Sequence, residues 1–285
     1  MEEEYNKIPS VSDLKKICHS AYMDPDGPLS EAFSRKTYLK VSIYFSWLFL
    51  HTGITPNQVT IMSIILGLAG NVLITQHGWY PLMGLIFYQF WLILDTVDGD
   101  IARYRKICSM SGAFLDRLNN AIVCPLMYIS LSYGVYVRLG DLRVLFFGFL
   151  VAMSLLLLKV VNAYLHVAIL EPVLHKKHVG MIRIPEKGDL ESGMLNEYFN
   201  YKPSSCILRI SEFLLTHGLY LSFYGVVLLD SILNFSFHMF SLELNFSYLY
   251  LIMLGPCLTM AWIVIAAYIV RKRAPESLYV NLFSQ

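Results

Sequence analysis

The sequence predicts an all-α integral membrane protein in which six transmembrane helices follow an N-terminal interfacial amphipathic helix. Three observations carry this. Hydrophobic residues make up 56% of the 285 residues and mean hydropathy is +0.52, too apolar for an ordinary soluble domain. Six apolar segments, 56–76, 80–103, 111–137, 142–170, 207–235 and 246–270, are each long enough to cross ~30 Å of hydrocarbon at ~1.5 Å per residue. Basic residues gather in the connections on one side of the resulting bundle.

Taken in order, residues 1–34 are polar to mildly amphipathic, with a turn signal at Pro25-Asp26-Gly27-Pro28. The start, Met1-Glu2-Glu3-Glu4-Tyr5, is acidic and lacks the basic-then-apolar layout of a secretory signal, which predicts a cytoplasmic N-terminus. The segment 35–52 is basic at its start and carries Tyr38, Tyr44, Trp47 and Phe49. Its 18 residues just reach spanning length, yet its charge and aromatics equally suit a helix lying in the interface. Topology favours the interface. With this segment on the cytoplasmic side, six crossings put Arg35, Lys36, Lys40, then Arg103, Arg105, Lys106, then Lys176, Lys177, Arg183, Lys187, then Arg271, Lys272 and Arg273 on that same side. Little more than Arg138 and Arg143 remains opposite. The expected division is a cytoplasmic cap with a juxtamembrane helix over 1–55 and a six-helix domain over 56–285, with a polar cytoplasmic loop at 171–206. A formal net charge of +1 gives no case for nucleic-acid binding. Five cysteines, Cys18, Cys108, Cys124, Cys206 and Cys257, lack ligand spacing and read as free thiols.

One feature of the chain is chemical. Asp95-Thr96-Val97-Asp98-Gly99-Asp100-Ile101-Ala102-Arg103 ends the second crossing, and Gly112-Ala113-Phe114-Leu115-Asp116-Arg117-Leu118-Asn119-Asn120 starts the third. Acidic groups at a bilayer edge are costly, which marks a functional site. Asp95 and Asp98 share one helix face at i and i+3, and Asp116 and Asn120 share a face of the next helix at i and i+4. Four oxygen donors converging there suit a hard divalent cation. The competing reading is a structural ion network in which Arg103, Arg105 and Arg117 neutralise the acids.

These residues resemble the signature of the CDP-alcohol phosphotransferases: D, two residues, DG, two residues, AR, eight residues, G, three residues, D, three residues, D. Asp95, Asp98, Gly99, Ala102, Arg103, Gly112 and Asp116 fall on it, and Asn120 stands at its last position. The resemblance implies metal-dependent transfer of a phospho-alcohol or phosphatidyl group from a CDP-linked donor to the hydroxyl of an acceptor alcohol, with release of CMP, as in phospholipid biosynthesis. It implies two Mg²⁺ or Mn²⁺ ions held by Asp95, Asp98, Asp116 and Asn120, catalysis by Asp116 and Asn120, and donor binding by Asp95, Gly99, Ala102, Arg103 and Gly112. Arg105 and Lys106, next on the cytoplasmic rim, bind the anionic donor or serve as positive-inside anchors. Asn57 and Thr60, beside Pro56 at the start of the first crossing, are further donor contacts or parts of a plain helix start. A homodimer, a membrane-lipid environment and an active site facing the cytoplasm are implied too, in the cell membrane of a prokaryote or the endoplasmic reticulum of a eukaryote.

Asn120 departs from the pattern. An amide cannot accept a proton from an attacking hydroxyl. Either another base acts, such as Asp116, a substrate phosphate or a metal-activated water; or the asparagine is a substitution that traps substrate; or the protein binds a CDP-linked ligand without turnover. In the fourth crossing Lys159, Asn162 and His166 form a polar stripe that serves acceptor binding or an interhelical hydrogen-bond network. The 171–206 loop shapes the acceptor entrance or is a tether. A cation transporter fits less well, because the acids cluster at one face and not near the bilayer midplane.

Overall fold

The computed structural model describes residues 10–19, 37–175, 217–233, 237–239 and 242–271. The turn at 25–28, Arg35 and Lys36, most of the 171–206 loop with Lys176, Lys177, Arg183 and Lys187, Cys206, Lys272 and Arg273 lie outside these. Two short helices, α1 (Val11–Cys18) and α2 (Tyr38–Leu50), precede α3 (Pro56–Ile74), α4 (Tyr80–Arg105), α5 (Met110–Leu139) and α6 (Arg143–His175). Then come α7 (Leu219–Leu233), a hairpin of β1 (Phe237–Met239) and β2 (Leu242–Leu244), and α8 (Phe246–Arg271).

Local chemistry sets these boundaries. Thr55 and Gln58 form a reciprocal capping box at the start of α3, with Pro56 in the first turn where its missing N–H costs nothing. The α4 helix stops at Lys106, whose φ of 54° is left-handed. Ser109 then caps α5 by accepting from Gly112 N at 3.0 Å. Gly140, at φ 71°, ends α5 in a conformation that glycine adopts without strain.

Among the described residues five helices, α3, α4, α5, α6 and α8, are long and apolar enough to cross a membrane. The sixth expected crossing, 207–235, falls partly outside the described residues. The helix inside the 207–235 segment is described only as α7, whose 15 residues reach about 22 Å, short of the ~30 Å hydrocarbon layer. The all-α expectation also takes one exception: β1 and β2 pair antiparallel, with Phe237 opposite Leu244 and Met239 opposite Leu242. The α2 helix lies within the expected interfacial segment but inverts the soluble pattern. It buries Ser42 and Ser46 with Leu39, Ile43 and Leu50, and exposes Val41, Tyr44, Trp47 and Leu48.

The α3 and α4 helices pack at backbone distance. A side chain on Gly70 would begin 2.9 Å from the Tyr88 ring, and one on Gly84 would begin 3.1 Å from the Gly70 carbonyl. Likewise α5 approaches the end of α3 so closely that a Cβ on Gly134 would sit 2.8 Å from the Ile74 carbonyl. Trp91, Tyr88, Val123, Met127, Phe223 and Leu251 fill the main core between these helices and α7 and α8. A second core joins Leu14 and Cys18 of α1 and Ile43 of α2 to Val59, Leu94, Val97 and Ile101. It fastens the two N-terminal helices onto the end of the bundle where α3 begins, α4 ends and α5 begins.

Cys18 reports that docking. Its thiol is buried and donates to the Asp100 carbonyl at 3.3 Å, while Cys108 is exposed. Burial first, and the Asp100 charge second, push the Cys18 thiol up to about 12, so the reactive thiolate is scarce at mildly alkaline pH. A charged maleimide applied to the folded protein should label Cys108 and spare Cys18 until denaturant is added, read by peptide mass spectrometry. Equal labelling of both would mean that α1 does not dock.

Candidate functional site

A cavity of about 180 Å³ opens between the first turns of α3, the last turns of α4 and the start of α5. Pro56, Asn57 and Thr60 line it from α3, and Asp98, Gly99 and Ala102 from α4. Gly112, Ala113 and Asp116 line it from α5, and Ile107, Cys108 and Ser109 from the connection between α4 and α5. Seven residues singled out by the motif and the helix start therefore share one wall: Asn57, Thr60, Asp98, Gly99, Ala102, Gly112 and Asp116. The glycines leave room for side chains that do the shaping. Asn57 Oδ1 lies 3.2 Å from where a Gly112 side chain would begin, and the Arg103 guanidinium lies 3.2 Å from the corresponding point on Gly99.

Asp98 and Asp116 face the cavity from opposite helices, and Asp95 sits one turn deeper along α4. Asp98 and Asp95 have neutral partners. The Thr60 hydroxyl donates to Asp98. Asn119 Nδ2 donates to Asp95 Oδ1 at 2.8 Å, and Asn120 Nδ2 approaches the same oxygen at 3.4 Å. The three acids also act on one another, since the Asp116 charge reaches both Asp95 and Asp98. Among the described residues the ion pairs are Lys16 with Asp13, His19 and Arg103 with Asp100, and Arg143 with Asp141, so none involves these three acids. The charges of Arg103 and Arg117 reach Asp98 and Asp116, but neither arginine forms an ion pair with them. Arg103 pairs with Asp100 at 2.8 Å, Arg117 is exposed, and Arg105 donates to the carbonyls of Ile54 at 2.6 Å and Thr52 at 2.9 Å. Arg105 thereby clamps the loop before α3.

Two residues next to the motif were not singled out by the sequence. Asn119 is fully buried and uses its whole amide: Trp91 Nε1 donates to its Oδ1 at 2.9 Å, and its Nδ2 donates to Ser63 Oγ at 2.9 Å and to Asp95. The indole N–H is a donor only, so it fixes which end of the amide points at the carboxylate. The one sequence signal was a second asparagine inside a span, which needs partners there. The other is Asp100, which points away from the cavity into the contact with α1 and α2 and is fully buried.

Asn120 is half-buried at the deep edge of the acids. Its backbone carbonyl accepts from Lys159 Nζ at 2.6 Å, and its side-chain oxygen accepts from Cys124 Sγ at 3.8 Å. Lys159 thus faces the bundle interior and makes an interhelical bond; the side chains of Asn162 and His166 lie outside the described residues. No three Asp, Glu, His or Cys side chains among the described residues close into a ready coordination sphere. The donor set nevertheless suits a hard cation, with the Asp95, Asp98 and Asp116 carboxylates close together and outside every ion pair among the described residues.

A family model described as CDP-alcohol phosphatidyltransferase matches residues 53–270. Among curated proteins, one of Aquifex aeolicus is 33% identical over 91 residues, covering 32% of this chain and 19% of that one. One of Thermococcus kodakarensis is 31% identical over 109 residues, covering 38% and 23%. One of Archaeoglobus fulgidus is 34% identical over 98 residues, covering 34% and 18%. All three are named bifunctional IPC transferase and DIPP synthase, and the chain spans about a fifth of their length.

The Asn119 arrangement has a measurable weight. Asn119→Ala leaves the Trp91 N–H and Asp95 short of a partner and should destabilise the protein by about 1–3 kcal/mol, seen as a lower unfolding temperature in detergent. An unchanged melt would mean that water replaces the amide.

Proposed function

The chain belongs to the CDP-alcohol phosphatidyltransferase family, and from that premise we propose that it moves a phospho-alcohol or phosphatidyl group from a CDP-linked donor to the hydroxyl of an acceptor alcohol and releases CMP. The observation that carries this is the cavity in which Asp98 and Asp116 converge from two helices across a floor of Gly99, Ala102 and Gly112. A diphosphate brings dense negative charge, and a wall of carboxylates meets it only through a divalent cation. Asp95, Asp98 and Asp116, with the amide oxygen of Asn120, are the residues that would hold two Mg²⁺ or Mn²⁺ ions. Bound there, the ions would supply charge neutralisation of the diphosphate and of the departing CMP.

This chain's own residues do the rest. Gly99, Ala102 and Gly112 let the nucleotide lie against helix backbone, and Asn57 offers an amide to it. Thr60 holds Asp98 and Asn119 holds Asp95, so both carboxylates are set before ligand arrives. The acceptor oxygen attacks the phosphorus bearing the alcohol, the bond from that phosphorus to the CMP oxygen breaks, and the acceptor proton passes to Asp116. Arg103 at the rim binds phosphate oxygen. In this reading the active site faces the cytoplasm, which the clustering of basic residues in the sequence supports, with membrane lipid around the helices and a homodimer as the working state.

A second reading, ligand binding without turnover, draws on Asn120, because its Nδ2 faces Asp95 where the family pattern has a proton acceptor. Incubating the purified protein with a CDP-alcohol and an acceptor should release CMP in Mg²⁺ and not in chelator, and Asp98→Ala should abolish both release and metal-dependent binding. With Asp116 as base, Asn120→Asp should change the rate by less than the ~10²-fold typical of general-base catalysis. A gain of that size would identify position 120 as a lost base and favour the second reading. CDP-alcohol binding of equal strength with and without metal would overturn the metal site.

A further inference from the structure

Asp100 lies within the motif but on the opposite side of α4 from Asp98, since two residues along a helix turn a side chain by roughly 200°. It is fully buried, and a buried carboxylate needs both charge and hydrogen-bond partners. It finds them on two sides. Asp100 Oδ2 accepts from Ser46 Oγ of α2 at 2.9 Å, with Ser42 Oγ at 3.5 Å and His19 Nε2 at 3.3 Å. Asp100 Oδ1 pairs with Arg103 Nη2 at 2.8 Å. The backbone carbonyl of the same residue accepts from the Cys18 thiol.

The arginine end of this chain of contacts lies beside the cavity, on Gly99, without being part of its lining. With one nitrogen held by Asp100, the Arg103 guanidinium lies across the bare backbone of Gly99, and Gly99 with its neighbours Asp98 and Ala102 lines the cavity. Neither Asp100 nor any residue of α1 or α2 lines the cavity itself. Resting on the transferase reading above, we infer that Asp100 is a positioning residue: it holds Arg103 over Gly99 for the donor phosphates, and the docked N-terminal helices complete that hold through Ser46 and His19. The cap thus contributes to donor affinity without touching the donor. An arginine on a flexible stem gains most from such a hold when it must present a planar fork in one orientation.

A double-mutant cycle on the full-length protein tests this, with donor KM, kcat and calorimetric Kd for a CDP-alcohol measured for wild type, Asp100→Asn, Arg103→Ala and the double variant. Asp100→Asn should raise donor KM and Kd by about tenfold, the scale of one charge-assisted hydrogen bond. Its kcat should stay within about twofold of wild type, and the double variant should bind donor no more weakly than Arg103→Ala alone. Additive losses, or a fall in kcat at unchanged KM, would make Asp100 a structural residue and overturn the proposal. Ser46→Ala, which removes one bond and no charge, should show a smaller shift of the same sign that vanishes in the Arg103→Ala background. It carries the cycle should Asp100→Asn not fold. Donor affinity unchanged in Arg103→Ala overturns the positioning role and leaves the transferase reading intact. Absence of CMP release from the wild type counts against the transferase reading, and the Kd cycle then decides the positioning role alone.

Discussion

The constraint on which this structure depends is the cost of placing carboxylates at the edge of a low-dielectric bundle. Every acid in the motif has to be answered, and the answers differ by face. Asp100 meets a guanidinium and the serines of α2, and is sealed. Asp95 and Asp98 meet only neutral donors, Asn119 and Thr60. Neutral donors orient a carboxylate without cancelling its charge. The same α4 helix therefore carries a closed ion pair on one side and an unsatisfied acidic wall on the other. That asymmetry separates the acid that ties helices together from the acids left facing the cavity.

Holding that wall in shape requires helices that approach closely and start in the right places. Gly70 and Gly84 bring α3 against α4, which lets the short Thr60 side chain reach Asp98. The capping box at Thr55 and the Arg105 clamp on the carbonyls of residues 52 and 54 fix where α3 begins, and with it Asn57 and Thr60. On the other side, the Ser109 cap and the left-handed turn at Lys106 set how soon α5 begins after α4, and so the depth at which Asp116 faces Asp98. Small residues and backbone caps thus act on the shape of the cavity through distance, although few of them touch it.

The cap adds a layer that the bundle alone lacks. The α2 helix turns serines inward and aromatics outward, so its polar atoms serve Asp100 while its apolar face suits lipid. In water such a helix would read as inside-out; beside a membrane it is a sensible way to reach a buried charge. Lys159 and Cys124 close the deep side of the site in the same manner, through bonds to Asn120 and, for Cys124, a 2.8 Å contact with the Tyr220 hydroxyl.

What the sequence by itself determined is what depends on spacing along one chain: apolar segments of crossing length, and Asp95, Asp98, Gly99, Ala102, Arg103, Gly112 and Asp116 at intervals that helical periodicity turns into shared faces. These were legible because period and composition are local properties. Which acid is sealed and which is open was not legible, because Asp98 and Asp100 are identical residues two positions apart. Their fates are set by Thr60, 38 residues away, and by Ser46, 54 residues away. The same holds for Arg105, which basic patterning could not distinguish from Arg103, and for Asn119, whose partner Trp91 sits on another helix. The β1–β2 pairing also escaped hydropathy, since strand pairing depends on two segments meeting and not on how apolar either one is. Tertiary structure decided these points for one physical reason: a charge at a membrane edge is neutralised by whatever packing brings beside it, and packing is a property of pairs of segments.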